Sequence, residues 1–131
     1  LVVTAEAGAS VCCIGPSAES LEPLLREIKE KFNTPTLALT ADLLAPNAPV
    51  QIVKLVEQYR GPIDILINIT PASYMRPFFQ ESNVTQDWWP AMEAGLRVPL
   101  ELIHAVLPSM IDRGNGTIIS TTSIGGVVTG M

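Results

Sequence analysis

Short apolar runs alternate along this chain with longer segments in which apolar residues recur every three or four positions. The short runs, bounded by turn residues, are typical of buried strands, and the longer segments are typical of amphipathic helices. The pattern predicts strands at 10–14, 36–40, 63–68 and 117–122, and helices at 1–7, from Ser17 or Ser20 to about 32, from about 47 to 60, and from Thr85 to about 113. Strict alternation of strands and helices predicts an α/β fold with a doubly wound parallel sheet.

The segment from Gly61 to Asn68 is the most informative of these strands. Gly61 ends the preceding helix, Pro62 prevents its continuation, and the residues that follow are almost wholly apolar. A run that is apolar on both sides predicts a strand covered on both faces of the sheet. Parallel sheets bind ligands at the carboxyl ends of their strands, so Asn68 lies where chemistry is expected.

The helices have predicted buried faces. The first long one places Leu21, Leu24, Leu25, Ile28 and Phe32 on one side, and the next places Ile52, Leu55, Val56 and Tyr59 together. Pro23 is favourable only in a first helical turn, which leaves the start of its helix open. In the longest helix, apolar residues recur from Met92 to Met110, and kinks or interruptions are predicted at Pro90, Pro99 and Pro108.

Composition excludes several classes of partner. The chain has 131 residues, of which 47% are hydrophobic and 16% charged, which is typical of a folded domain. Its net charge of −5, without a basic run, makes a nucleic-acid partner unexpected. No apolar run reaches membrane-spanning length, so no membrane partner is expected either.

The two cysteines and the one histidine predict no metal site. Cys12 and Cys13 are adjacent in a strand and therefore point to opposite faces, where they cannot easily pair with each other. Two buried, unpaired thiols favour a reducing, cytoplasmic location. With His104 alone to add, they give too few ligands for a metal. His104 itself is expected on a helix surface or at an interface.

Five segments together resemble the short-chain dehydrogenase/reductase family. They are 5–11 (Ala-Glu-Ala-Gly-Ala-Ser-Val), 41–43 (Ala-Asp-Leu), 61–68 (Gly-Pro-Ile-Asp-Ile-Leu-Ile-Asn), 107–110 (Leu-Pro-Ser-Met) and 116–123 (Gly-Thr-Ile-Ile-Ser-Thr-Thr-Ser). Each is weak alone, but their order and spacing cover almost the whole chain. The resemblance implies that residues 1–131 are one partial NAD(P)-binding Rossmann-type domain, truncated at both ends and lacking its first strand. Because that strand is central in the order 3-2-1-4-5, strands 2 and 3 are expected either to be separated from strands 4 and 5 or to close up with them abnormally.

The resemblance also implies site residues. Ser123 corresponds to the catalytic serine, whose hydroxyl binds the substrate oxygen as it gains negative charge. Asp42 and the Leu43 amide correspond to the adenine site, although Asp42 is otherwise explained as a loop cap. Asn68 and, less directly, Thr70 correspond to the nicotinamide ribose site, although Asn68 is otherwise explained as a strand-terminating turn residue.

The segment Gly15-Pro16-Ser17 occupies the position that reads the adenosine ribose in the family. An acid there favours NAD and an arginine favours NADP, and neither is present. Absence of a carboxylate removes repulsion of a 2′-phosphate, which favours NADP slightly over NAD. Ser17 is a candidate phosphate ligand, and its alternative role is that of a helix cap.

The function implied is hydride transfer between NADP(H), or NAD(H), and a small-molecule carbonyl or alcohol, with a homo-oligomer as the expected assembly. The family's tyrosine with a lysine four residues later has no counterpart in this sequence, and the glycine-rich phosphate loop is also lacking. We therefore expect residues 1–131 alone to be inactive.

Two departures favour an alternative, a non-catalytic homologue that binds a nucleotide or a partner. The family usually has Asn-Asn-Ala-Gly where this chain has Asn68-Ile69-Thr70-Pro71. Gly95 replaces an asparagine whose helix kink supports a proton relay in the family. A glycine allows a kink but has no side chain to contribute.

Overall fold

The computed structural model describes residues 2–69, 78–80 and 82–122. Within these residues lie four strands: β1 (Val11–Gly15), β2 (Thr36–Thr40), β3 (Ile65–Asn68) and β4 (Thr117–Ser120). The helices are α1 (Val2–Glu6), α2 (Ala18–Phe32), α3 (Ala48–Arg60) and the long α4 (Val84–Arg113), and a short 3-10 turn covers Phe78–Gln80. The chain divides into two units, Leu1–Ala48 and Pro49–Met131.

The first unit is built on the parallel pair β1–β2. Their register runs from Val11 opposite Thr36 to Gly15 opposite Thr40. The core beneath them consists of Ala5, Val11, Cys13, Leu21 and Ile28, with Leu24, Leu25 and Phe32 packed against it. The face predicted for α2 is therefore confirmed.

The ends of α2 follow from local side chains. The Ser17 hydroxyl accepts the Ser20 N–H at 3.3 Å, and Asn33 closes the helix in the left-handed conformation with φ of 49°. Pro23 lies inside the helix, beyond its first turn, contrary to expectation. Proline removes only one backbone donor, and the buried Leu21 and Ile28 on either side of it hold the helix in place.

The second unit contains the parallel pair β3–β4, in a register from Ile65 opposite Thr117 to Asn68 opposite Ser120. Of the two expected arrangements, separate strand pairs are the one observed. The expectation that β3 is covered on both faces is wrong at its start, because Ile65 is 47% exposed. Burial increases along the strand and is complete only at Asn68.

The helices of the second unit bury one side each. Ile52 and Val56 of α3 are buried as predicted, but Tyr59 is 67% exposed and Val53 is buried instead. The buried stripe is thus rotated by about one residue from the predicted one, because tertiary packing and not periodicity alone selects it. In α4 the buried residues are Val98, Pro99, Leu102, Val106 and Met110.

The cap of the long helix α4 is Asn83, not Thr85 as predicted. Asn83 Oδ1 accepts the N–H groups of Thr85 and Gln86 at 3.1 and 3.2 Å. In return, the Asp87 carboxylate accepts the Asn83 N–H at 3.0 Å and the Ser82 hydroxyl at 2.9 Å. This reciprocal capping satisfies several otherwise free donors of the first turn, and it explains why Asn83 is the cap.

The helix α4 was predicted to be interrupted at Pro90, Pro99 and Pro108. The interruptions are present near Pro90 and Pro99 but not at Pro108. Wider π-helical turns, Val84–Trp88 and Glu93–Arg97, precede the α-helical turns that contain Pro90 and Pro99. A π turn changes the backbone pairing and so accommodates a residue that lacks an N–H. Pro108 interrupts nothing, because the surrounding helix remains regular to Arg113.

By length and composition only, α4 is sufficient to cross a membrane. In the stretch that meets this criterion, 22% of the residues are buried. The expectation that the protein has no membrane partner stays a prediction.

We predict opposite stability effects for two glycine substitutions in the second unit. A Cβ at Gly116 would lie 2.5 Å from Met110 Cγ and 2.7 Å from Met110 Cβ, so Gly116→Ala should destabilise the fold by about 1–3 kcal/mol. A Cβ at the helical Gly95 meets no described atom within 4 Å, so Gly95→Ala should be neutral or stabilising by up to about 1 kcal/mol. Urea unfolding of both variants beside the wild type measures this, and equal effects would contradict the packing described.

Candidate active site

In the first unit, the carboxyl ends of β1 and β2 bring two predicted site segments to one edge. Gly15 lies opposite Thr40, and the Ala41 N–H donates to the Gly15 carbonyl at 3.1 Å. The Gly15–Ser17 segment and the Asp42–Leu43 segment therefore leave the sheet side by side. This is the edge at which parallel sheets bind ligands.

Gly15 allows α2 to start close to the end of β1. A Cβ on Gly15 would lie 2.9 Å from Leu21 Cδ2 and 3.2 Å from Ser20 Oγ. Pro16 then leads directly into the Ser17 cap, and the Ser20 hydroxyl donates to the Ser17 carbonyl at 2.7 Å. Ser17 therefore has the alternative role foreseen for it, that of the helix cap.

A carboxylate that the sequence argument overlooked lies beside this cap. The pKa of Glu19 is lowered by its own backbone N–H at the helix start and by the hydroxyl of Ser17. Its side chain therefore puts negative charge next to Ser17, at the position expected to read the ribose. The sequence signal was available, since an acid in the first turn of a helix is favoured by the helix dipole.

Asp42 is engaged in its own loop. Its Oδ1 accepts the Leu44 N–H at 2.9 Å, and its carbonyl accepts the Ala45 N–H at 3.1 Å. This loop cap is the alternative that the sequence left open. It fixes the direction of the chain after β2 and, with it, the position of Leu43.

In the second unit, Asn68 is a buried polar residue at the end of β3, with 5% of its surface exposed. Its Nδ2 lies 3.5 Å from Ser120 Oγ. Its carbonyl accepts both the N–H and the hydroxyl of Thr121, at 3.0 and 3.1 Å. These two hydrogen bonds hold the ends of β3 and β4 together. Thr121 was not predicted as a site residue. The two remaining predicted residues, Thr70 and Ser123, lie outside the described residues.

Arg113 anchors the other end of β3, and no local sequence motif indicated it. Its Nη1 lies 2.6 Å from Asp64 Oδ1, and its Nη2 donates to the Ile63 carbonyl at 2.8 Å. Its Nε donates to the Ser109 carbonyl of its own helix at 3.3 Å. The last turn of α4 is thereby bound to the residues that lead into the strand carrying Asn68.

The cysteines and other candidate ligands offer no further reactive centre in the described ranges. Both thiols were predicted to be buried; Cys13 is buried, but Cys12 is only half-buried, so the prediction is wrong for Cys12. Burial raises the pKa of the Cys13 thiol, which disfavours the reactive thiolate. Among residues 2–69, 78–80 and 82–122, no three His, Cys, Asp or Glu side chains are grouped as a metal would require.

Known proteins of similar sequence identify the family of this chain. A family model described as short chain dehydrogenase matches residues 2–131. The chain belongs to the short-chain dehydrogenase family. It is 38% identical over 120 residues to a short chain dehydrogenase of Pseudocercospora fijiensis, covering 92% of this chain and 38% of that protein. It is 32% identical over 127 residues to dehydrogenase/reductase SDR family member 7B of Rattus norvegicus, covering 93% of this chain and 38% of that protein.

Among solved structures, this family member is similar to L-sorbose reductase from Gluconobacter frateurii, determined in complex with NADPH and L-sorbose. The TM-score is 0.83 at 25% identity, covering 96% of this chain and 47% of that one. The predicted Rossmann-type fold is thereby confirmed. The chain spans less than half the length of each of these three proteins.

We predict that Asn68 stabilises the second unit. Asn68→Ala removes a buried amide and leaves the Ser120 hydroxyl without this partner, which should lower the free energy of unfolding by about 1–3 kcal/mol. Asn115→Ala, in an exposed turn, is the matched control and should change it by less than about 0.5 kcal/mol. The comparison is made by urea unfolding, and an Asn68→Ala variant as stable as the control would refute the role.

Proposed function

We propose that the protein containing this chain is an oxidoreductase that moves a hydride between NADP(H), or NAD(H), and a carbonyl or alcohol. The observation that carries the proposal is the parallel pairing of β3 with β4. It places buried Asn68 beside Ser120, three residues before Ser123. Family membership and the NADPH-bound relative support the same reaction.

In this proposal residues 1–131 act as one nucleotide-binding domain. Gly15, Pro16 and Ser17 contact the adenosine ribose, Asp42 and the Leu43 amide contact the adenine, and Asn68 and Thr70 contact the nicotinamide ribose. The Ser123 hydroxyl donates to the substrate oxygen, which stabilises the negative charge that develops there during hydride transfer. The cofactor, when bound, supplies the hydride.

NADP remains the favoured cofactor, but by a narrower margin than the sequence suggested. The β1 end carries no acid, and L-sorbose reductase binds NADPH. Against this, the Glu19 carboxylate lies beside Ser17 and would repel a 2′-phosphate. The substrate is a small carbonyl compound or the corresponding alcohol. The buried thiol of Cys13, which is in no disulfide, supports a reducing, cytoplasmic location.

We also propose that the protein forms a homo-oligomer through the outer face of α4. Trp89, Leu96 and Leu100 on this face are 51%, 54% and 55% exposed. Together with their neighbours they form an apolar surface larger than isolated exposed side chains produce, and such surfaces mark interaction sites.

A second candidate function is nucleotide or partner binding without catalysis. It is favoured by Gly95, which lies in the π turn Glu93–Arg97 and carries no amide side chain. The π turn itself supports the first candidate, because a change of helix geometry is present without the asparagine. Activity of the complete protein distinguishes the two candidates.

We predict that Ser123→Ala lowers kcat of the complete protein at least about 100-fold, because a donor to the developing oxyanion is lost. Thr122→Ala, one residue earlier, is the matched control and should retain most activity. The assay follows NADPH or NADH oxidation with a panel of ketones. Equal activity of the two variants would contradict the serine's role. If the wild type binds NADPH without oxidising it with any ketone, the non-catalytic alternative holds.

We predict that Glu19→Gln increases the preference for NADPH over NADH about three- to tenfold in kcat/KM. The substitution removes one negative charge beside the proposed 2′-phosphate position while retaining the side chain's shape. Glu22→Gln, on the next exposed turn of α2, is the control and should leave the ratio unchanged. An unchanged ratio in Glu19→Gln would exclude this residue from cofactor selection.

A further inference from the structure

The turn between α4 and β4 contains an Asn-Gly dipeptide, Asn115–Gly116, which occurs nowhere else in the sequence. Every other asparagine of the chain precedes a threonine, alanine, isoleucine or valine. A side chain on the following residue hinders approach to that residue's backbone nitrogen, and glycine has no side chain. Asn115 therefore has the one kind of neighbour whose nitrogen reaches an asparagine side chain without steric hindrance.

The hydrogen bonds of the turn leave the Gly116 nitrogen unpaired. On one side of it, the Asn115 N–H donates to the Met110 carbonyl at 3.1 Å. On the other side, the Thr117 N–H donates to the Asp64 carbonyl at 2.9 Å. The Gly116 N–H itself has no acceptor among the residues that the structure describes. No hydrogen bond therefore has to break before this nitrogen reacts.

The Asn115 side chain is equally free to react. Its amide makes no hydrogen bond within the described part of the chain, and both Asn115 and Gly116 are exposed. The two residues also line an open hollow of about 350 Å³, which gives water access to them. Because α4 ends at Arg113 and β4 begins at Thr117, neither a helix nor a strand fixes the backbone torsions between them.

We propose that Asn115 is a site of spontaneous deamidation in the folded protein, whatever reaction the protein catalyses. The Gly116 nitrogen loses its proton to hydroxide and bonds to Cγ of Asn115. The Cγ–Nδ2 bond then breaks, and the leaving nitrogen takes a proton from water and departs as ammonia. Water opens the resulting cyclic imide in one of two ways. Attack at the side-chain carbonyl gives aspartate, and attack at the main-chain carbonyl gives isoaspartate, in which the backbone runs through the side chain.

The two products affect the fold differently. Aspartate only adds a negative charge just beyond the C-terminus of α4, where the helix dipole disfavours it slightly. Isoaspartate adds one methylene to the main chain between α4 and β4. A Cβ on Gly116 would lie 2.5 Å from Met110 Cγ, so the turn has no room to move in that direction. Thr117 is held opposite Ile65 by the strand register, so the added length should loosen the β3–β4 pair.

Ageing of the complete protein in buffer tests the site. Fresh and aged samples are compared by peptide mapping with mass spectrometry, and isoaspartate is labelled with a protein-isoaspartate methyltransferase. Asn115 should show the mass gain of an amide-to-acid change and the label. The rate should rise roughly tenfold per pH unit, because the attacking nitrogen must first lose its proton. Asn33 and Asn83, which precede β-branched residues, are the internal controls and should stay unchanged.

A matched variant and an unfolded sample separate the effect of the fold from that of the dipeptide. Asn115→Gln should unfold at the wild-type urea midpoint when fresh and show neither signal when aged, because its longer side chain closes the imide ring less readily. The aged wild type should contain a fraction that unfolds at lower urea, absent from the aged variant.

The same samples contain the results that would contradict the proposal. Deamidation of Asn115 in guanidinium chloride but not in the folded protein would overturn it, because the fold would then protect the turn. An unchanged Asn115 under both conditions would overturn it as well. Isoaspartate that accumulates in the folded protein without any loss of stability would refute the effect on the β3–β4 pair.

Discussion

The pairing of β3 with β4 is the constraint on which the second unit depends. A two-stranded parallel pair has little stability of its own and must be covered and tied at its ends. Here Arg113 binds the chain ahead of β3 through Asp64 and the Ile63 carbonyl, and Thr121 binds the Asn68 carbonyl at the far end. The register of the strands is thereby fixed at both ends, and with it the point at which the chain leaves β4 toward Ser123.

Many features of this fold could be predicted because their causes are local. Gly8, Gly61 and Gly114 end helices or turns with φ of 86°, 82° and 63°, a conformation that glycine adopts without strain. The predicted buried face is correct in α2, where a single wide apolar stripe allows only one side of the helix to be buried. They failed at Tyr59 and Val53, because the sequence contains two overlapping apolar stripes and only packing decides between them.

The candidate site shows the same division between local and long-range causes. Topology alone predicts that Gly15 and Asp42 lie at one sheet edge, since Gly15 ends β1 and Asp42 follows the neighbouring parallel strand β2. Arg113 and Thr121 were missed because their partners lie 49 and 53 residues away in sequence. Glu19 was missed for another reason. The family pattern expects an acid at the end of the strand, whereas the side chain that supplies the charge lies in the first turn of the following helix.

Gly95 separates two properties that one asparagine combines in the family. Backbone geometry is retained, because the π turn Glu93–Arg97 forms around a glycine and is followed by Pro99, whose missing N–H already disturbs regular helix pairing. The amide side chain is not retained. A π turn can reproduce the shape of the helix, but it cannot supply the hydrogen bonds of an asparagine side chain. The fold is therefore compatible with either proposed function, since the shape of the helix does not depend on the residue that the proton relay would need. The two functions therefore differ in side-chain chemistry and not in the architecture around it.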